Sequence, residues 1–289
     1  MLPHTRSRWL ARLRAPLLVA WTTVPGSSGA VVVATATAGG ASNPAWPHEP
    51  GWFTPIENQG WAEWGSWGNL PQNGYMSLVS NQDGPLSAPS AIQFRQPRGM
   101  VGGGDPPWGL GRCWFTIPAN RYNNEVFVGV WAKVSPNFQG HSSGVQKLWY
   151  FMTQRGATGL WLELHGSGGG PLSVQVVTSF AGVAPREIAP NETNHASDPH
   201  SGETAAVLSR GVWHRIEVYA MLPPASGGDG TVRVWVDGTL TINRADVPMS
   251  FGSQNGWVQL HHDAIWGGVG DTKQHDDYVW LDQTYISGP

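Results

Sequence analysis

The chain has 289 residues, with 17 basic and 20 acidic side chains, a net charge of −3 and a single cysteine. One cysteine, Cys113, excludes an intramolecular disulfide, and a mildly acidic balance disfavours sequence-independent nucleic-acid binding, which needs a basic footprint. No apolar run after the first residues approaches the roughly 20 residues of a membrane span, so no membrane partner is expected.

Arg6, Arg8, Arg12 and Arg14 precede a short apolar run, Ala15 to Trp21, and a small-residue stretch ending Ala36-Thr37-Ala38. This is the pattern of a secretory signal over 1–38, with cleavage before Gly39 and Ser28-Gly29-Ala30 as the other candidate site. Losing those four arginines would take the net charge from −3 to −7. The expected location is secreted or periplasmic. Residues 39–71 are rich in Trp, Pro and Gly without clear periodicity, and are expected to pack on the domain that follows, 72–289.

From there the chain reads as strand after strand. Alternation of apolar and polar residues marks Ala91 to Gln96, Glu125 to Val134, Gly159 to Gly166 and Leu172 to Phe180. It continues through Val212 to Leu222, Thr231 to Gly238, Gly256 to His262 and Tyr278 to Ser287, with Gly- and Pro-rich turns between. Residues 184–203 lack periodicity and read as a surface loop. The 38 Gly and 23 Pro, with only 13% charged residues, suit many short strands and disfavour helices.

Period two then sorts the faces. Leu160, Leu162 and Leu164 oppose Trp161, Glu163 and His165. Ile216, Val218, Ala220 and Leu222 oppose Trp213, Arg215, Glu217 and Tyr219. Val232, Val234 and Val236 oppose Arg233, Trp235 and Asp237, and Val126, Val128 and Val130 oppose Phe127, Trp131 and Lys133. Each aliphatic face needs a second sheet to pack on, which predicts an all-β, two-sheet antiparallel jelly-roll β-sandwich. Cys113, in Arg-Cys-Trp-Phe, reads as a small buried hydrophobe rather than a reactive thiol.

Seventeen Trp, fifteen of them after the leader, exceed what a core of this size uses. Aromatic rings on a sheet face suit sugars, whose C–H faces stack on them while their hydroxyls hydrogen-bond at the edges. Trp131, Trp161, Trp213 and Trp235 are the candidate platforms, with Glu163, Glu217, Tyr219 and Gln259 as further substrate-binding groups. The alternative is that these faces belong to an outer sheet or lie beneath the Trp-rich N-terminal segment.

The hairpin from Gly211 to Thr239, with its Trp213-His214 and Val234-Trp235-Val236-Asp237-Gly238, resembles that of concanavalin A-like lectin/glucanase domains. The ending from Ile265 to Gly288 resembles the Gly-Gly loop and last strand of polysaccharide-lyase-like members; the resemblance covers roughly 125–289. It implies the jelly roll more specifically than any activity, because the fold hosts enzymes and lectins alike. The Glu-x-Asp-x-x-Glu strand of jelly-roll glucanases is absent, so a retaining glucanase is not expected. The Gln-Ile-His and Gln-Asn-His strings of alginate and heparin lyases are absent too.

A lyase would remove the proton next to a uronate carboxylate and then eliminate the glycosidic oxygen. That needs a carboxylate neutraliser, a base and an acid. Arg215 or Gln259 could neutralise, His165 act as base, and Tyr150 or Tyr219 as acid. Lys147 lies on a strand that resembles a groove-lining strand of lyase-like members. His261-His262-Asp263 with Asp271, His275, Asp276 and Asp277 suggests a metal, yet adjacent strand histidines point to opposite faces and cannot easily share an ion. The glucanase resemblance instead implies a structural Ca²⁺ at Asp282; no organic cofactor is expected. The expected partner is a polysaccharide, cleaved in a groove or held there without catalysis by a lectin-like module; a purely structural or adhesive sandwich is the third reading.

Overall fold

The computed structural model describes residues 45–58, 65–67, 75–80, 90–103, 112–118, 124–153, 159–180, 182–190, 203–224, 227–250 and 256–289. The expected leader, 1–38, lies outside the described residues. Regular structure among those described is entirely β. The strands are β1 (Thr54–Asn58), β2 (Gly65–Trp67), β3 (Met76–Ser80), β4 (Ser90–Gln96), β5 (Val101–Gly102), β6 (Arg112–Thr116), β7 (Glu125–Val134), β8 (Val145–Met152) and β9 (Gly159–His165). They continue with β10 (Ser173–Thr178), β11 (Arg186–Ile188), β12 (His214–Met221), β13 (Asp229–Val236), β14 (Thr239–Pro248), β15 (Gln259–Trp266), β16 (Gly270–Thr272) and β17 (Asp277–Gly288). Among the described residues no helix is long and apolar enough to cross a membrane.

Two antiparallel sheets carry the architecture. An eight-stranded sheet runs β14-β13-β12-β7-β17-β4-β3, with β1 added on β17; a seven-stranded sheet runs β11-β10-β9-β8-β15-β6-β2. A small sheet pairs β16 with β5. All eight segments with a clear alternation are strands. Two stretches without it also form short strands: β1 and β2 within 39–71, and β11 within the predicted loop 184–203. Each of β2 and β11 is a three-residue strand at the edge of its sheet, too short for period two to show.

The aliphatic faces meet as expected. Val126, Val128, Val130, Ile216, Val218, Val232 and Val234 from one sheet pack with Leu160, Leu162, Leu164, Val174 and Val176 from the other in one buried cluster. Each such side chain contributes roughly 1.5–3 kcal/mol by leaving water. Cys113 is in the same cluster, and desolvation raises its thiol pKa far enough to keep it protonated.

β17 threads the middle of the eight-stranded sheet. Its first half pairs with β4, its second half with β1, and β7 runs along its other side. A bulge between Asp282 and Tyr285, with Gln283 at φ 53°, shifts the alternation by one residue. Thr284 therefore turns inward to His262 Nε2, 3.0 Å away, while Tyr285 packs with Trp46 and Phe127 in a second cluster.

The resembling hairpin owes its sequence to a turn lock. Asp237 sits at φ 50° in the β13–β14 turn; its carboxylate accepts from the Arg215 backbone N–H at 2.8 Å and meets His214 Nδ1 at 2.6 Å. Burial of His214 opposes its charge, but the bond and charge of Asp237, with the Ser209 carbonyl, outweigh that and raise its pKa. Gly238 follows at φ 86°, completing the turn geometry that Asp-Gly favours.

Two ion pairs among the described residues lie wholly inside the protein. Arg244 and Glu203 form an ion pair with both side chains inaccessible. Lys273 Nζ donates to the Asp277 carboxylate at 2.5 Å and to the Gln139 carbonyl at 2.8 Å, between the rings of Phe138 and Trp266. Asp277 also accepts from Ser135 Oγ at 2.8 Å and from the Gln139 N–H at 2.9 Å. Desolvation, only partly offset by Asp277, lowers the Lys273 pKa to about 8. Removing one partner of such a pair strands the other charge in the interior. Lys273→Ala should therefore cost roughly 3–5 kcal/mol of unfolding free energy in urea titrations, and an unchanged midpoint would show that this network does not hold the fold.

Candidate active site

The outward face of the seven-stranded sheet brings polar and aromatic residues into rows. Strand pairing sets Trp161, Tyr150, His261 and Trp114 side by side across β9, β8, β15 and β6. One pleat away on one side, Glu163 of β9 faces Lys147 of β8, with Gln175 of β10 beside it. One pleat away on the other, Gln259 of β15 pairs between Met152 and Thr116. A bulge between Lys147 and Trp149 keeps both Lys147 and Tyr150 outward while Trp149 goes into the core. Lys147, Tyr150, Trp161 and Trp114 stay partly accessible, whereas Gln259 and His261 form a buried floor.

The contacts within this face are those of a built surface. The Tyr150 and Trp161 rings lie 5.9 Å apart, and the Lys147 ammonium lies 5.2 Å from the Trp161 ring centre. Trp114 and His261 are 6.2 Å apart. Trp161 Nε1 donates to Glu163 Oε2 at 3.2 Å. The Glu163 carboxylate is almost inaccessible, and this desolvation raises its pKa against the smaller opposing effects of Trp161 and His165. His165, with 42% of its side chain exposed, holds Nδ1 3.6 Å from Glu163 at the end of β9. Lys147, Tyr150, Trp161, Glu163, His165 and Gln259 thus share one face.

The other candidates lie on the eight-stranded sheet. Trp131 is on β7; Arg215, Glu217 and Tyr219 are on β12, with Trp213 just before it; Trp235 is on β13. They cannot join Lys147 and Tyr150 in one groove, because the two outward faces are separated by the core. Lys133 of β7 and Arg233 of β13 lie on that sheet as well. Composition supplied both sets of aromatic-plus-charged faces, and period two alone does not say which strands share a sheet.

Part of that second face is closed by the N-terminal segment. The Trp46 ring packs over Gly129, where a Cβ would stand 2.3 Å from it. His48 stacks on Trp235 with ring centres 4.6 Å apart and gives Glu217 a ring-nitrogen contact at 2.8 Å and a backbone N–H bond at 3.2 Å. Arg215 Nε lies 3.2 Å from the same inaccessible carboxylate. Phe53 packs on Tyr219, whose hydroxyl donates to Glu125 at 2.7 Å; desolvation and that bond raise the Tyr219 pKa. For Trp235, the alternative that the N-terminal segment covers the ring is the one observed.

The metal expectations find little support in donor chemistry. His261 points outward and His262 inward, and burial lowers the His262 pKa to about 3, so it is neutral in the core. Asp271, His275, Asp276 and Asp277 do not gather around a shared point either: among the described residues no three His, Cys, Asp or Glu side chains converge as a metal site. Asp282 is fully buried beside Trp131 across the ladder, with Trp280 two residues away on the same face. Neither indole supplies an oxygen ligand, so a Ca²⁺ held by Asp282 would take its other ligands from backbone carbonyls.

His261 and Trp114 were absent from the expected substrate site. The signal for His261 is its spacing from Gln259: two residues apart on a strand, they share a face. Trp114 sits in β6, whose five residues show no clear alternation.

The buried carboxylate of Glu163 gives a direct test. A carboxyl whose folded pKa lies above its unfolded value favours folding below the unfolded pKa and loses that contribution as pH rises through the folded value. Glu163→Gln should therefore melt higher than the parent at pH 7, with the advantage shrinking as pH falls through the raised folded value and gone below the ordinary glutamate value of 4.5. A variant destabilised equally at both pH values would show instead that the partners of the carboxylate offset its burial.

No protein-family model matches the chain, and no curated protein matches it by sequence. Solved structures do match its fold. A marine alginate lyase from Aplysia kurodai aligns over 79% of this chain and 92% of its own, at 12% identity and a TM-score of 0.53. An alginate lyase from a Chlorella virus aligns over 82% of this chain and 100% of its own, at 11% identity and a TM-score of 0.52. A doubly substituted alginate lyase in complex with an alginate trisaccharide aligns over 82% and 97%, at 12% identity and a TM-score of 0.53. The chain has the concanavalin A-like jelly-roll fold of these polysaccharide lyase structures.

Proposed function

We propose that the protein is a polysaccharide lyase that cleaves a uronate-containing polymer by β-elimination on the outward face of the seven-stranded sheet. The observation that carries this reading is the row of Tyr150 beside His261, with Lys147 and Gln259 each one pleat away. Those side chains supply a cation on one side of the row and an amide on the other, either of which can meet the uronate carboxylate, with two proton-transfer groups between them. Trp161 and Trp114 flank them as stacking surfaces. Structures with the same fold that act on alginate, one holding an alginate trisaccharide, support a polyuronate substrate.

In this reaction Lys147 or Gln259, which stand on opposite sides of the row, holds the carboxylate and disperses the charge that builds on it. His261 removes the proton on the carbon bearing the carboxylate. The electron pair forms the new carbon–carbon double bond as the bond to the glycosidic oxygen breaks, and Tyr150 protonates that oxygen. His165 is set aside as base: it lies four residues beyond Trp161 along β9, about 13 Å at the usual rise per residue. Arg215 and Tyr219 belong to the other sheet. No step is routed through a metal.

Secretion is part of the same proposal and rests on the leader-like pattern over 1–38. A lectin-like protein that binds without cleaving is the second reading, favoured by the number of tryptophans held on outward faces.

The test is ultraviolet absorbance of unsaturated uronate, followed with alginate, polyglucuronate and polygalacturonate. One of them should give rising absorbance with the parent protein, and Tyr150→Phe should slow it by about 10²–10⁴-fold. His165→Ala should retain most of the rate. Absorbance that survives Tyr150→Phe and Lys147→Ala unchanged would rule out this face, and binding without absorbance would leave the lectin-like reading.

A further inference from the structure

The outward face of the eight-stranded sheet is closed over only part of its area, and the remainder has an order of its own. Trp280 of β17 pairs with Lys133 of β7 on one side and Gln93 of β4 on the other. The Lys133 ammonium lies 4.8 Å from the Trp213 ring centre and 5.0 Å from that of Trp280, so it stands between two indoles. Trp280 Nε1 donates to Gln93 Oε1 at 2.9 Å, which restrains the indole. One pleat along, Tyr278 stacks on Trp280 with ring centres 5.5 Å apart and planes 20° apart, beside its ladder partner Arg95. All six side chains remain partly accessible, unlike Trp46, Phe127 and Tyr285 in the closed part.

We infer that this row is a second polysaccharide-binding surface, on the opposite sheet from the proposed reactive face, and that it holds a uronate-containing chain without cleaving it. Three features support that occupant. Strands β12 and β17 flank β7, so the backbones that carry the two indoles lie about 9.5 Å apart, two strand spacings; in an extended pyranose chain every second sugar repeats on a comparable scale. The ammonium at the centre of the row gives one carboxylate a partner where the flanking rings receive the sugar faces. Gln93 and Arg95 add hydrogen-bonding groups at the rim. The six side chains of the row include no histidine beside the tyrosine, so the Tyr150–His261 arrangement of the proposed reactive face is not repeated here. Two surfaces on opposite sheets would let one molecule stay attached to an insoluble or gelled polymer while the other face works.

The experiment is affinity electrophoresis of the full chain through gels containing alginate, polyglucuronate or polygalacturonate, with hydroxyethyl cellulose as the neutral control. It is run in a Tyr150→Phe background so that cleavage does not distort migration. On the polyuronate that retards the protein, Trp280→Ala should weaken binding about tenfold. Lys133→Gln should weaken polyuronate binding and leave migration in hydroxyethyl cellulose as it was. Absence of retardation on all three polyuronates overturns the inference. So does a Trp280→Ala protein with parental melting temperature and parental retardation. Should Trp280→Ala fail to fold, unchanged polyuronate retardation of Lys133→Gln overturns it alone. The outcome is independent of the lyase reading: loss of retardation in these variants sustains the surface even where no polyuronate is cleaved, and cleavage with unaltered retardation sinks the surface while sparing the reaction.

Discussion

Burial of two aliphatic strand faces against each other is the constraint from which the rest follows. Valines and isoleucines of β7, β12 and β13 meet leucines and valines of β9 and β10 in one core. Because side chains alternate, that burial commits every intervening residue to one of two outward faces. Function is decided at that point, since a reaction needs its groups on one face. Lys147, Tyr150, Glu163, Gln259 and His261 fall together on the seven-stranded sheet, while Trp131, Arg215, Glu217, Tyr219 and Trp235 fall together on the other.

The two faces then diverge through what covers them. On the eight-stranded sheet, Gly129 leaves room for the Trp46 ring, and Glu217 is held inaccessible by His48 and Arg215. A carboxylate so enclosed serves packing rather than substrate. On the seven-stranded sheet, Glu163 is equally inaccessible, but its neighbours Trp161, Lys147 and His165 keep partial access to water. A desolvated carboxylate with an accessible cation and indole beside it is an arrangement found at functional sites. Local breaks in regularity serve this division. The bulge in β8 turns both Lys147 and Tyr150 outward, and the bulge in β17 turns Thr284 in to meet His262.

Much of the fold was legible from residues. Alternation located β7, β9, β10, β12, β13 and β17 nearly to their ends, and for β7, β9, β12 and β13 it assigned inward and outward sides that the structure shares. Three-residue edge strands such as β2 and β11 were not legible, because pairing to one neighbour rather than an alternating face sustains them. The site was half legible. Trp161 and Glu163 could be proposed from residue type and face, Tyr150 and Gln259 from residue type alone, and Lys147 from the resemblance of its strand to a groove-lining one. Which strands neighbour one another could not: β12 lies next to β7 and β15 next to β8, pairings set by long-range packing of the sandwich. That is why one expected groove became two faces, and why His261, two residues from Gln259, entered first as a doubtful metal ligand.

The central claim is that sugar chemistry occurs on the seven-stranded sheet. Its most direct test is a crystal structure of the Tyr150→Phe protein with a uronate tetrasaccharide. The expected result is a sugar ring lying over the row of residues 150 and 261, its carboxylate within hydrogen-bond reach of Lys147 or Gln259. A tetrasaccharide bound only among Trp213, Lys133 and Trp280, with the seven-stranded face empty at saturating ligand, would contradict it.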